Sequence, residues 1–208
     1  MAQAKRRQGR ARAVNAMKRG LILDAARRVF EAEGLDGASV RAIANEAGYT
    51  PAALYFHFES KEAIYAEVLQ ESLERLGQAV GSAVLGVRDP AARLRGAAMA
   101  FFEFYAKNPR DLDLGFYLFR GGMKPHGLGR ERDELLNAGL AGALRPMAEA
   151  AEALGADPDE ANLLMVDAIA HASGLLLAHT GRIRMFAASA PDLMERYVRE
   201  RIDRLAGA

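Results

Sequence analysis

Apolar residues recur along most of this chain with the spacing of helices. Ile22, Ala25, Ala26, Val29 and Phe30 fall at i, i+3, i+4, i+7 and i+8, one face of a helix that Gly34 is placed to end. Ser39 is a candidate cap for a second helix with Val40, Ile43, Ala44 and Ala47 inside, and Gly48 breaks it. Thr50-Pro51 is an N-cap and first-turn pair, so a short third helix starts there. Ser60 before Lys61-Glu62-Ala63 starts a fourth, running to about Gly86. Asp89-Pro90 and Asn108-Pro109 bracket a helix over 91–107 and start another over 110–119. Further helices are expected over 131–154, 159–179 and 191–205, with a loop over 120–129. No strand alternation or repeat interrupts the series, so the expected fold class is all-α.

Charge changes the picture by its distribution. The chain has 208 residues and a net charge of +1, yet residues 1–23 hold Lys5, Arg6, Arg7, Arg10, Arg12, Lys18 and Arg19 with no acidic residue. Residues 1–66 sum to +4 and residues 67–208 to −3. The basic start does not continue into the roughly 7–15 apolar residues of a signal peptide, because Asp24 cuts short Leu21-Ile22-Leu23. Its Arg-rich, acid-poor character also resembles a mitochondrial transit peptide, the lesser reading beside an arm that neutralises phosphates. The most apolar later stretch, 163–178, is interrupted by Asp167 and His171, so no membrane span is expected. The absence of cysteine removes disulfides, thiolate nucleophiles and cysteine zinc sites together, and no cofactor is expected.

Residues 39–58, SVRAIANEAGYTPAALYFHF, carry the chemistry. Two short helices joined at Gly48 have helix-turn-helix spacing, and Gly48 suits a junction that needs positive φ. Leu54 and Phe58 pack inward at i and i+4, leaving Thr50, Pro51, Ala52, Tyr55 and His57 on other faces. A helix with so narrow a start enters a major groove closely. Thr50 offers a hydroxyl, Pro51 and Ala52 meet a thymine methyl, and Tyr55 brings a hydroxyl to phosphate height. Lys61 stands at the N-terminus of the next helix, where an anion is already favoured.

The run over residues 22–65, with LYFHFESKEAI at 54–64, resembles the DNA-binding domain of TetR-family transcriptional regulators. That resemblance implies a three-helix helix-turn-helix domain over 21–66, preceded by a flexible basic arm (1–20). A helical effector-binding and dimerisation domain over 67–208 follows. It further implies a cytoplasmic homodimer on double-stranded, palindromic operator DNA, a repressor released by a small-molecule effector, and not an enzyme. Arg41, Thr50, Pro51 and Ala52 fall at base-contacting positions, and Tyr55, His57 and Lys61 at phosphate-contacting ones. Lys5, Arg6 and Arg7 of the arm are expected to grip the backbone or minor groove.

The effector does not carry over. Aromatic and methionine residues on the middle helices suit an apolar ligand, and the expected pocket residues are Phe101, Tyr105, Phe116, Met123, Met165 and His171. Asp167 and His171, at i and i+4, could join His126 or His179 around a metal, but no metal is expected. The glycine-rich segment 120–129 lacks the spacing of a phosphate loop. Small residues on helix 159–179, together with 191–205, mark the expected dimer interface. The rival readings are an architectural DNA binder without sequence preference and, more remote, an all-α enzyme.

Overall fold

The computed structural model describes residues 2–115, 128–179 and 188–207, without the side chains of 2–8, 11 and 179. Among them are nine helices and no strand: α1 (Ala2–Gly37), α2 (Val40–Ala47), α3 (Pro51–Tyr55), α4 (Lys61–Val84), α5 (Pro90–Lys107), α6 (Pro109–Gly115), α7 (Arg130–Ala153), α8 (Pro158–His179) and α9 (Ala190–Ala206).

Side chains immediately before several of these helices explain where they begin. The Ser39 hydroxyl accepts from Ala42 N–H at 3.1 Å, Thr50 from Ala53 at 3.2 Å and Ser60 from Ala63 at 3.1 Å. The Asp89 carboxylate accepts from Ala92 at 2.8 Å, with Pro90 in the first turn of α5, and Ser189 caps α9. Each takes one of the backbone donors that a helix start leaves without a partner. Gly48 closes α2 with φ +72°. Its N–H donates to Asn45 O at 3.1 Å and Tyr49 N–H to Ala44 O at 2.8 Å, the paired bonds of a Schellman end.

The arm departs from expectation. Residues 2–20 are not a flexible coil but the first half of α1. Ala, Arg, Lys, Gln and Met dominate the segment, all strong helix formers, and only Gly9 and Gly20 weaken it. Gly34, with φ +70° and ψ 179°, breaks the helix where the pattern places its end, and residues 35–37 add a further turn.

The chain divides into two compact units, residues 1–71 with 113–134, and 72–112 with 135–208. The expected boundary at 66/67 therefore lies five residues early, and 113–134 groups with the N-terminal unit. In that unit Ile22, Ala25, Ala26 and Phe30 of α1 bury against Ile43, Ala44, Leu54, Phe58, Ile64 and Tyr65. Tyr65 meets the Phe30 ring edge-on at 4.8 Å and donates its hydroxyl to Leu114 O at 2.7 Å.

The second unit is built around α5, whose Leu94, Ala97, Ala98, Phe101 and Phe102 are buried, with α8 and α9 packed against it and each other. Arg95 pairs with Glu195 at 2.5 Å, and Arg75 with Asp111 at 2.5 Å. Contrary to the expectation that no segment spans a membrane, α8 is by length and composition apolar enough to do so, because Asp167 and His171 are too few to lower its average. Only 28% of that apolar stretch is buried. Its partner α9 carries Arg196, Arg199, Arg201 and Arg204, charges that a lipid environment would exclude.

Gly48→Ala tests the turn. No heavy atom lies within 4 Å of where the Cβ would stand, so the cost is backbone strain of about 1–2 kcal/mol. A fall in melting temperature of roughly 2–8 °C is expected for a chain this size; an unchanged value would show that the turn tolerates another conformation.

Candidate nucleic-acid interface

α3 has five residues, and its two faces are sharply unlike. Leu54 is 1% exposed and Phe58, just beyond the helix, 5%. Thr50, Pro51, Ala52, Tyr55 and Phe56 stand out to solvent. Arg41, on α2, is exposed as well, while His57 is half-buried. Thus Arg41, Thr50, Pro51, Ala52 and Tyr55 all lie on the outer surface of the helix-turn-helix, as the spacing requires. The Thr50 oxygen accepts from Ala53 N–H, so the hydroxyl caps the helix and keeps its own proton for an outside acceptor.

Lys61 is placed differently from the phosphate-facing role that the resemblance implies. Its ammonium donates to Leu35 O at 2.8 Å and Ala38 O at 3.1 Å, at the end of α1. A cation is favourable there because carbonyls at a helix C-terminus lack internal partners and carry negative partial charge. Lys61 therefore ties the start of α4 to the junction of α1 and α2. For Lys5, Arg6 and Arg7 the helix is described but the side chains lie outside the described residues.

Two residues of this unit escaped the sequence reading. Phe56 is 88% exposed, an unusual place for a large apolar ring; its position two residues after Leu54, off the buried face, was a signal in the sequence. Arg19 counts in sequence with the basic arm, yet its guanidinium is engaged with His57, Phe58 and Glu67. Nothing local signals contacts that span 38 and 48 residues.

The expected effector residues are only partly placed. Phe101 and Tyr105 are buried with rings edge-on at 5.2 Å. Burial, and secondarily Asp111, pushes the Tyr105 phenol well above its ordinary range. Met165 and His171 are half-buried on α8. His171 stacks on Tyr197 of α9 at 4.2 Å and 15°, and burial lowers its pKa first of all. Phe116, Met123 and His126 lie outside the described residues. A shallow hollow of about 210 Å³ between α8 and α9 is lined by Leu163, Leu164, Asp167, Arg201 and Leu205 among others, none of them an expected effector contact. Asp167 approaches Arg201 at 3.8 Å, and among the described residues no three metal-ligating side chains converge.

Comparison with known proteins agrees with this geometry. Residues 22–68 match the family described as bacterial regulatory proteins, tetR family. The HTH-type transcriptional activator FasR of Mycolicibacterium smegmatis is 40% identical over 87 residues, 42% of this chain and 40% of that protein. The HTH-type transcriptional repressor NicS of Pseudomonas putida is 29% identical over 140 residues, 67% of this chain and 65% of that protein. The matches thus span two fifths to just under two thirds of these relatives. A crystal structure of AibR in complex with isovaleryl coenzyme A and operator DNA superposes with a TM-score of 0.64 at 17% identity, covering 87% of this chain and 96% of that one; at that identity the likeness is one of fold. Residues 22–68 thus carry the domain that defines the tetR family of bacterial regulatory proteins.

Proposed function

We propose that this protein is a homodimeric, sequence-specific DNA-binding transcriptional regulator, a cytoplasmic repressor released from a palindromic operator by a small-molecule effector. The observation that carries this reading is the outer face of α3, where Thr50, Pro51, Ala52 and Tyr55 stand bare on a helix whose other side is locked into the core. Such a face fits a major groove, with Arg41 on α2 reaching bases beside it. Tyr55 and His57 are assigned to phosphates. Lys5, Arg6 and Arg7, on the helical start of α1, are assigned to the backbone or minor groove. An effector in the second unit acts by binding more tightly to the conformation that fits DNA poorly. The isovaleryl coenzyme A on a neighbour of the same fold supports a small-molecule effector.

The dimer is assigned to 159–179 and 191–205. Leu163 is 66% exposed and Val166 58%, on a helix that is mostly apolar and largely uncovered in one chain. A second copy buries them by two-fold symmetry. Control in the opposite direction is the second reading, favoured by the named activator among the relatives.

Four experiments test this. Selection of bound duplexes from random DNA should return one pseudo-palindromic sequence. Arg41→Ala should cost about 1–3 kcal/mol on that sequence and relax preference at particular positions; equal weakening on every duplex would remove its base-reading role. Lys61→Ala should lower the melting temperature by roughly 2–4 °C per kcal/mol lost, leaving the salt dependence of DNA binding unchanged. A loss of about one unit of salt slope would return Lys61 to the phosphates. Finally, sedimentation should give two chains for the wild type and one for a Leu163→Glu, Val166→Glu double variant; a variant that stays dimeric would move the interface elsewhere.

A further inference from the structure

Arg19 lies at the end of the run of seven basic residues, but its side chain is turned into the protein. Nη1 donates to the His57 carbonyl at 2.5 Å. Nε donates to Glu67 Oε2 at 3.0 Å, and Nη2 donates to Glu67 Oε1, a fork on one carboxylate. The Arg19 Cζ atom sits 4.1 Å from the centre of the Phe58 ring. One side chain of α1 thereby grips α4 and the turn that leaves α3.

The chemistry of that grip is particular to arginine. A planar guanidinium offers several donors in fixed directions, so it can hold a carboxylate with two N–H groups while another reaches a carbonyl and its face rests on an aromatic ring. The His57 carbonyl lies in the turn just past the end of α3, where oxygens lack helical partners and a cation is favoured. Glu67 also neutralises the guanidinium, which sets Arg19 apart from residues that serve phosphate. Leu54 and Phe58 fix how deep α3 sits. Rotation about the line joining them is resisted at the end of the helix by this contact.

We propose that Arg19, held by Glu67, is a positioning residue for the recognition helix, setting the angle at which Thr50 to Tyr55 meet DNA. The proposal rests on reading α3 as the element that enters the groove.

Full-length chains test it in two ways. Without DNA, amide hydrogen exchange is followed at His57 and Phe58, whose N–H groups donate to Leu54 O at 2.8 and 2.9 Å. Arg19→Lys keeps the charge and loses the fork, so exchange there should rise about tenfold while α2 is unaffected. Glu67→Gln should move the same amides in the same direction, and serves if the arginine variants fold poorly. With DNA, the duplex selected by the wild type is compared with a scrambled one. Arg19→Lys should raise Kd for the selected duplex about tenfold, leaving the scrambled duplex and the salt slope unchanged. Equal losses on both duplexes in Arg19→Gln, with a slope lower by about one, would make Arg19 a phosphate contact and overturn the proposal. So would wild-type exchange in Arg19→Lys and Glu67→Gln. A wild type with no preferred duplex would remove the DNA-reading assignment, while the exchange measurement would still decide the contact itself.

Discussion

A helix of five residues makes too few internal hydrogen bonds to persist in water, because the cost of ordering its first turn is never recovered by propagation. α3 exists only because it is held from outside. Thr50 caps its start, Pro51 presets the first turn, and Leu54 and Phe58 are buried on one side. The Schellman end of α2 delivers the chain to Thr50 in the required direction. Arg19 and Lys61 fasten what surrounds the far end, one at the His57 carbonyl and one between the start of α4 and the end of α1. A short helix anchored this way has a practical merit: nearly all of its remaining surface is free to face a ligand.

The legible part of this design is the local part. Ser39, Thr50, Ser60 and Asp89 each act on an N–H three residues away, so their roles can be read from a few consecutive letters. Gly48 is readable for the same reason, since its positive φ is demanded by the turn itself. Amphipathic spacing likewise separates Ile43, Ala44, Leu54 and Phe58 from the outer residues. What resists reading is whatever crosses between elements. In sequence Lys61 is a cation at a helix start, and nothing there reveals that its ammonium lies against residues 35 and 38. Arg19 is one of seven similar charges, and only the packing of α1 beside α4 separates it from the rest. The basic arm went astray for another reason. A run of like charges suggests a solvated coil, whereas alanine, arginine, lysine and glutamine favour helix and α1 continues through them.

The near-zero net charge resolves in the same way. Positive residues gather at the N-terminal end, where a phosphate backbone would be met, and negative ones prevail beyond residue 66. Electrostatic attraction falls off over roughly 8–10 Å in physiological salt, so a distant acidic surplus does little to cancel a basic patch. Specificity is a separate matter from this attraction. In the proposed reading it is assigned to Arg41, Thr50, Pro51 and Ala52, of which only Arg41 carries charge.

α8 poses the converse problem, too much apolar surface rather than too much charge. A helix with Leu163 and Val166 exposed while α9 presents four arginines nearby is stable neither alone in water nor in lipid. In the proposed dimer a second copy covers it, because the two-fold operation brings the same apolar stripe against itself. That arrangement also has a consequence for recognition. In the proposed dimer two α3 helices would read two half-sites at one separation, so a change at the interface would be felt as a mismatch in the grooves.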